Sequence, residues 1–210
     1  MRSTIRLASE GDAAAIAAVY RPYVESTVIS FEIEPPDEDE MRTRIGHTLA
    51  AYPWLVCERG GEVVGYAYAA AHRSRPAYKW SVDTAVYLDA AHHRCGIGRG
   101  LYRSLFAILA AQGYVNAYAG ITLPNPASVG LHERVGFRPV GVYANVGYKM
   151  GAWHDVGWWH STIGPLEADP RPPCSLAAVE ARADWTSLLT CGLEVIRTPA
   201  PTQRHGGADG

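Results

Sequence analysis

Net charge is almost absent from this 210-residue sequence, which balances to -2 at pH 7. That leaves no electrostatic case for nucleic acid or an acidic membrane surface as partner. Long apolar runs are missing as well. The opening stretch MRSTIRLASEGD carries no secretory leader pattern, and no window approaches the length of a membrane span. The four cysteines, Cys57, Cys95, Cys174 and Cys191, form no CxxC pair. A reduced, cytoplasmic protein with free thiols is therefore expected. His92-His93 and His154-Asp155 stand without further ligands at suitable spacing, so no metal is expected. No internal repeat is found, which argues against solenoids and propellers.

What is present suits a folded domain: 48% of residues are hydrophobic and 19% charged, enough to bury a core. Taken in order, Thr4 to Leu7 reads as a strand and Ser9 to Asp12 as a helix start. An alanine-rich helix follows to about Tyr23. A second helix runs from the acidic DEDE to about Ala51, its acids suiting the positive end of the helix dipole. Trp54 to Glu58 and Glu62 to Ala71, joined at Gly60-Gly61, form a hairpin pattern. His72 to Trp80 reads as a polar, basic loop. A strand from Val115 to Thr122 and a short helix over Ala127 to Val135 follow. Phe137 to Tyr143 and Trp153 to Thr162 close the pattern as strands. The chain divides into a domain over 1–165 and an extension over 166–210. That extension carries one helical patch near Leu176 to Leu189 and is expected to pack only in part.

The organising stretch is Val82 to Gly113. Thr84 to Leu88 is β-branched and aromatic, as a buried strand requires. Glycines stand at 96, 98 and 100, and Leu101, Leu105, Ile108 and Leu109 then fall at helical spacing up to Gly113. A glycine loop feeding a helix N-terminus presents unpaired N–H groups and a positive dipole end, a site for phosphate oxygens. The spacing is not the GxGxxG of a dinucleotide fold, and no Gly-Lys-Ser/Thr marks a Walker loop.

The spacing resembles the pyrophosphate loop of the GNAT N-acetyltransferases. Downstream, Asn125-Pro-Ala-Ser128 through His132 to Gly136-Phe137 resembles that superfamily's second acetyl-CoA motif. Tyr52-Pro-Trp-Leu-Val, Gly65-Tyr-Ala-Tyr-Ala, Arg73-Ser-Arg75-Pro-Ala-Tyr78 and Trp153-His-Asp155-Val-Gly-Trp158 extend the likeness to the phosphinothricin and methionine sulfoximine acetyltransferases, over residues 4 to 163. The resemblance implies an α/β fold, a mixed twisted sheet flanked by helices, with acetyl-CoA as co-substrate and a homodimer as assembly.

It also implies roles. His93-Arg94-Cys95-Gly96-Ile97-Gly98 would hold the pyrophosphate through main-chain N–H groups, with His93 where Gln or Arg is usual. Val86, Tyr87 and Leu88 would run beside the pantetheine, the N–H near Leu88 polarising the thioester carbonyl. Asn125 would meet the pantetheine arm and Ser128 the cofactor. Asp83 stands where the family places a glutamate base, one methylene shorter, so the reach to the amine proton would be direct or through a bridging water. The alternative is that Asp83 only orders the strand start. His132 stands where many relatives place a tyrosine near the departing sulfur. It either protonates the thiolate or fixes local hydrogen bonds. Arg73 and Arg75 suit the oxyanions of a small amino-acid analogue, and Phe31 and Tyr78 are candidate pocket walls. The expected activity is acetyl transfer to the α-amine of a small amino acid or a toxic glutamate or methionine analogue (phosphinothricin, methionine sulfoximine or arsinothricin). The alternatives are an acetyltransferase for a polyamine or protein N-terminus, and a non-catalytic acyl-CoA-binding sensor.

Overall fold

The computed structural model describes residues 2–197. Seven strands make one mixed sheet in the order β1-β2-β3-β4-β5-β7-β6. They are β1 (Ser3–Leu7), β2 (Trp54–Arg59), β3 (Glu62–Ala71), β4 (Ser81–Leu88), β5 (Asn116–Leu123), β6 (Arg138–Lys149) and β7 (Ala152–Thr162). Every neighbouring pair is antiparallel except β4 and β5, which run parallel. The helices α1 (Ala13–Glu25) and α2 (Glu38–Leu49) cover one face. On the other lie α3 (Ile97–Gln112), α4 (Pro126–Arg134), α5 (Leu176–Glu180) and α6 (Trp185–Thr190).

The strand period of two decides which side chain goes where. In β2, Trp54 and Val56 turn to α1 and α2, while Leu55 and Cys57 turn to α3. In β3, Tyr66 faces α1 and Ala67 and Ala69 face α3. A bulge between Cys57 and Glu58 absorbs the odd residue near the hairpin end. The α1–α2 layer is pinned by charge as well as packing. Arg6 reaches Asp12 at 2.7 Å and Glu58 at 2.5 Å, and this guanidinium lowers the Asp12 carboxyl to about 2. Asp37 starts α2 by accepting the Glu40 N–H at 2.9 Å.

The mixed sheet and flanking helices match the fold expected from the sequence. Several boundaries differ from the sequence pattern. β4 begins at Ser81 and α3 at Ile97, both earlier than the residue pattern indicated. β6 continues to Lys149 because Asn145 adopts a left-handed φ of 48° with its N–H on Asp155 Oδ1 at 2.7 Å, which lets pairing with β7 resume after a bulge. The helical patch after residue 175 is two short helices, not one.

In the extension, Leu176 and Val179 are 3% and 0% exposed and belong to the same apolar cluster as α3. Past α6, Gly192 N–H donates to Ser104 Oγ at 3.1 Å, and Arg197 N–H donates to Cys95 O at 2.8 Å. Residues 198–210, the rest of the expected extension, lie outside the described residues.

Leu176→Ala is expected to cost about 2–5 kcal/mol of unfolding free energy, the range for emptying a buried leucine site. Urea denaturation followed by circular dichroism measures it. A loss under about 0.5 kcal/mol would mean that 176–197 is not part of the folding unit.

Candidate active site

The site begins where two strands part. β4 and β5 pair only over Ser81–Asp83 and Asn116–Tyr118, although β4 continues to Leu88 and β5 to Leu123. Beyond that rung β5 stays with β7, paired along its whole length. At the parting point Thr84 Oγ1 donates to Tyr118 O at 3.2 Å, where a side chain joins the two strands. Asp89 N–H donates to Val64 O on the β3 side. By alternation, residues 84, 86 and 88 turn their backbone groups the other way, into the gap. Leu88 O accepts the Tyr23 hydroxyl at 2.6 Å. The Val86 and Leu88 N–H groups have no strand partner among the described residues, and face the gap as donors already in place.

The loop after β4 opens on the α3 side of this gap. Arg94 (φ 61°) and Gly96 (φ 81°) are both left-handed, an arrangement that turns successive amides to one side. The first α3 hydrogen bond is Gly100 N–H to Gly96 O at 2.9 Å. The amides of Ile97, Gly98 and Arg99 are left without helical acceptors, and no side chain caps them. Gly98 is walled by neighbours: a Cβ there would lie 2.9 Å from Leu131 Cδ2 and 3.4 Å from Leu88 Cδ1. His93 approaches the Tyr23 hydroxyl at 3.2 Å. The segment His93 to Gly98 can therefore hold a pyrophosphate through its backbone.

Across the loop stands α4. Asn125 Oδ1 accepts the Ser128 N–H at 3.0 Å and so starts the helix. His132 is only 4% exposed. Its Nε2 lies 2.8 Å from the Tyr102 hydroxyl and its Nδ1 2.8 Å from Ser128 O. Burial lowers its pKa, which keeps the ring neutral. With both nitrogens engaged inside the protein, the reading in which His132 fixes local hydrogen bonds is the one its surroundings favour.

Asp83 lies on the opposite face of the sheet. Burial raises its carboxyl pKa, and His72 and Arg73 oppose that rise. Its Oδ1 lies 2.6 Å from His72 Nδ1. The His72 ring stacks on Tyr118 at 4.3 Å between centroids, with Tyr78 and Trp158 edge-on at 5.9 and 6.1 Å. The Arg73 guanidinium lies 5.7 Å above the Trp158 ring. Asp83, Arg73 and Tyr78 thus gather about one imidazole. Arg75 is exposed, and its side chain has no partner among the described residues. Phe31 packs elsewhere, against Gly147 and 6.3 Å from His154. Tyr87 also points to this face, but into a cluster with Tyr20 and Tyr23 at 4.8 and 5.2 Å.

No local pattern in the sequence marks His72. The signal was the hairpin register: Ala70 opposes Asp83, so residue 72 falls on the same face two positions on. A cavity of about 580 Å³ around Phe106, Gly136 and His160 lies by the other half of α3, and none of these site residues lines it.

A sheet parted beside a glycine-led helix, with amide donors in the gap and a carboxylate beyond it, defines an acyl-CoA-dependent acyltransferase. The chain belongs to the GNAT acetyltransferase family: the Acetyltransferase (GNAT) domain profile matches residues 5–158. It is 40% identical over 168 residues to the phosphinothricin N-acetyltransferase of Streptomyces viridochromogenes, covering 80% of this chain and 91% of that one. It is 34% identical to the L-methionine sulfoximine/L-methionine sulfone acetyltransferase of Salmonella typhimurium, over 73% of this chain and 90% of that one. Among solved structures, the GNAT superfamily phosphinothricin acetyltransferase of Sinorhizobium meliloti in complex with acetyl-CoA superposes with a TM-score of 0.77 at 32% identity. That match covers 84% of this chain and 99% of the other.

Gly96→Ala tests the loop. A Cβ there meets Val195 O at 2.3 Å in a backbone with φ +81°. The acetyl-CoA Kd is expected to rise about tenfold or more, roughly 1.4 kcal/mol, by titration calorimetry. An unchanged Kd would mean that the loop shape is not what binds the cofactor.

Proposed function

We propose that this acetyl-CoA-dependent N-acetyltransferase acts on the α-amine of a small amino acid, or of a toxic glutamate or methionine analogue of the phosphinothricin or methionine sulfoximine type, by direct attack. The observation that carries the reading is the division of labour across the gap between β4 and β5. Phosphate-binding amides lie on one side, and a carboxylate with an exposed guanidinium lies on the other. The names of the relatives support the acceptor class. The Arg73 loop supports it over a polyamine, whose cations would favour an acidic pocket.

Bound acetyl-CoA supplies an activated acetyl thioester. The backbone N–H groups at Val86 and Leu88 face the position where its carbonyl oxygen gains charge, and need no rearrangement to stabilise it. His93 to Gly98 hold the pyrophosphate. Asn125 shapes the α4 end, near which we assign the pantetheine arm, and Ser128 lies on the same turn. Arg73 takes the acceptor's carboxylate or phosphinate oxygens, Arg75 stands by as a second exposed cation, and Tyr78 bounds the pocket. Asp83 is the catalytic carboxylate of the acceptor side, the negative charge that supports loss of the ammonium proton before attack. His132 with Tyr102 keeps the α3–α4 side of the gap in register.

The division into a catalytic domain over 1–165 and an extension over 166–210 is supported by the profile match ending at residue 158. A cytoplasmic location accords with four free cysteines. A homodimer is supported by the outer edge strand β6 and its turn, where Val140, Val142, Tyr143, Val146, Tyr148, Met150 and Trp153 are 50–63% exposed.

Two measurements test this. CoA release is assayed with phosphinothricin, methionine sulfoximine, arsinothricin, glutamate, methionine and spermidine. Turnover confined to amino-acid acceptors, and reduced about 10²–10⁴-fold in Asp83→Ala, is expected. Turnover with spermidine alone would move the acceptor class, and acetyl-CoA binding without turnover on any amine would indicate a sensor. In analytical ultracentrifugation the chain is expected to sediment as two copies and Val142→Asp as one. A monomeric parent chain would remove the dimer.

A further inference from the structure

Asp83 is one methylene shorter than the glutamate the family places there, and its carboxylate already leans on a neighbour: Oδ1 lies 2.6 Å from His72 Nδ1. The other ring nitrogen is differently placed. His72 Nε2 has no hydrogen-bond partner among the described residues and is not sealed from solvent, although the side chain is only 13% exposed. The ring lies flat on Tyr118, which with Asp83 forms the last rung before β4 and β5 part. Its accessible nitrogen is thus held beside the mouth of the gap. The guanidinium of the adjacent Arg73 sits over Trp158, itself edge-on to His72. One imidazole, one carboxylate behind it and one cation beside it are held by three neighbouring strands and the loop.

We propose that His72 is the catalytic base, its Nε2 taking the proton of the acceptor ammonium while Asp83 holds Nδ1–H and fixes the ring. The inference rests on the acetyltransferase reading above. The Nδ1 proton engages Asp83, which leaves the lone pair on Nε2. The acceptor ammonium gives one proton to Nε2, and the resulting imidazolium is paired with the Asp83 carboxylate. The freed amine forms the C–N bond to the acetyl carbon, the C–S bond breaks with its electron pair on sulfur, and the second nitrogen proton neutralises the thiolate. His72 returns its proton to water. The net products are the N-acetyl amino acid, CoA thiol and one proton. An imidazole titrates nearer neutrality than a carboxylate and suits this exchange better. The groups facing it are Asp83 from β4, Arg73 and Tyr78 from the loop, Tyr118 from β5 and Trp158 from β7. Of these only Asp83 and Arg73 carry charge at neutral pH.

The test uses the full chain with acetyl-CoA and the best amino-acid acceptor, comparing the parent with His72→Ala and His72→Gln. In the parent, kcat/KM is expected to fall on the acid side as the base protonates. Both variants should lose about 10²-fold or more in kcat, keep their acetyl-CoA Kd within about twofold, and lose that acid limb. Added imidazole should restore His72→Ala by tenfold or more. Retained acetyl-CoA binding shows that the variants are folded, since that site lies on the other face of the sheet. Activity within about threefold of the parent, an unchanged acid limb, or loss without imidazole rescue would each overturn His72 as base while leaving the enzyme in place. No turnover by the parent on any amino-acid acceptor would overturn the functional reading itself, and this inference with it.

Discussion

Everything chemical in this molecule depends on a parallel pair of strands that stop pairing after three residues. A continuous β4–β5 ladder would consume the backbone groups of residues 84, 86 and 88 in strand pairing. Because β5 follows β7 instead, those groups are released into a gap that crosses the sheet. Backbone amides make a durable electrostatic device, since their positions are set by the sheet and not by rotamers. The Thr84 hydroxyl on Tyr118 O marks the end of the seam, and the Tyr23 hydroxyl on Leu88 O ties the far end of β4 back to α1.

The same gap sorts the side chains. Odd-numbered residues of β4 face α1 and even-numbered ones face α3, so Asp83 and Thr84 are sequence neighbours with opposite duties. On the α3 face the polar groups are closed on one another, as His132, Tyr102 and Ser128 show. On the other face Arg73 is exposed and His72 keeps one ring nitrogen without a hydrogen-bond partner among the described residues. A transferase needs this asymmetry: the donor side must hold a large cofactor still, and the acceptor side must exchange small molecules and protons with solvent.

Much of the fold was legible in the chain. The glycine loop, the helix behind it and the Gly136-Phe137 ending are local patterns, and local patterns survive into structure where packing agrees with them. Asp83 was visible because its motif neighbours are contiguous. His72 was not, because its meaning depends on strand register across a loop, and as one residue in a polar stretch it reads as solvated. Phe31 shows the same limit: an aromatic side chain is legible in the chain, but its neighbour Gly147, over a hundred positions away, is not. The extent of β6 was hidden for a similar reason, since the left-handed turn at Asn145 is stabilised by Asp155 on the next strand.

Seating of the extension imposes one joint constraint on two distant positions. A Cβ at Gly100 would lie 2.7 Å from Gly192 O and 2.7 Å from Ile196 Cγ1, and one at Gly192 would lie 1.9 Å from Gly100 O. The two backbones meet where neither tolerates a side chain. A side chain at either position would push the C-terminal segment out of its present seat, so the first turn of α3 and a stretch some ninety positions away share one steric constraint.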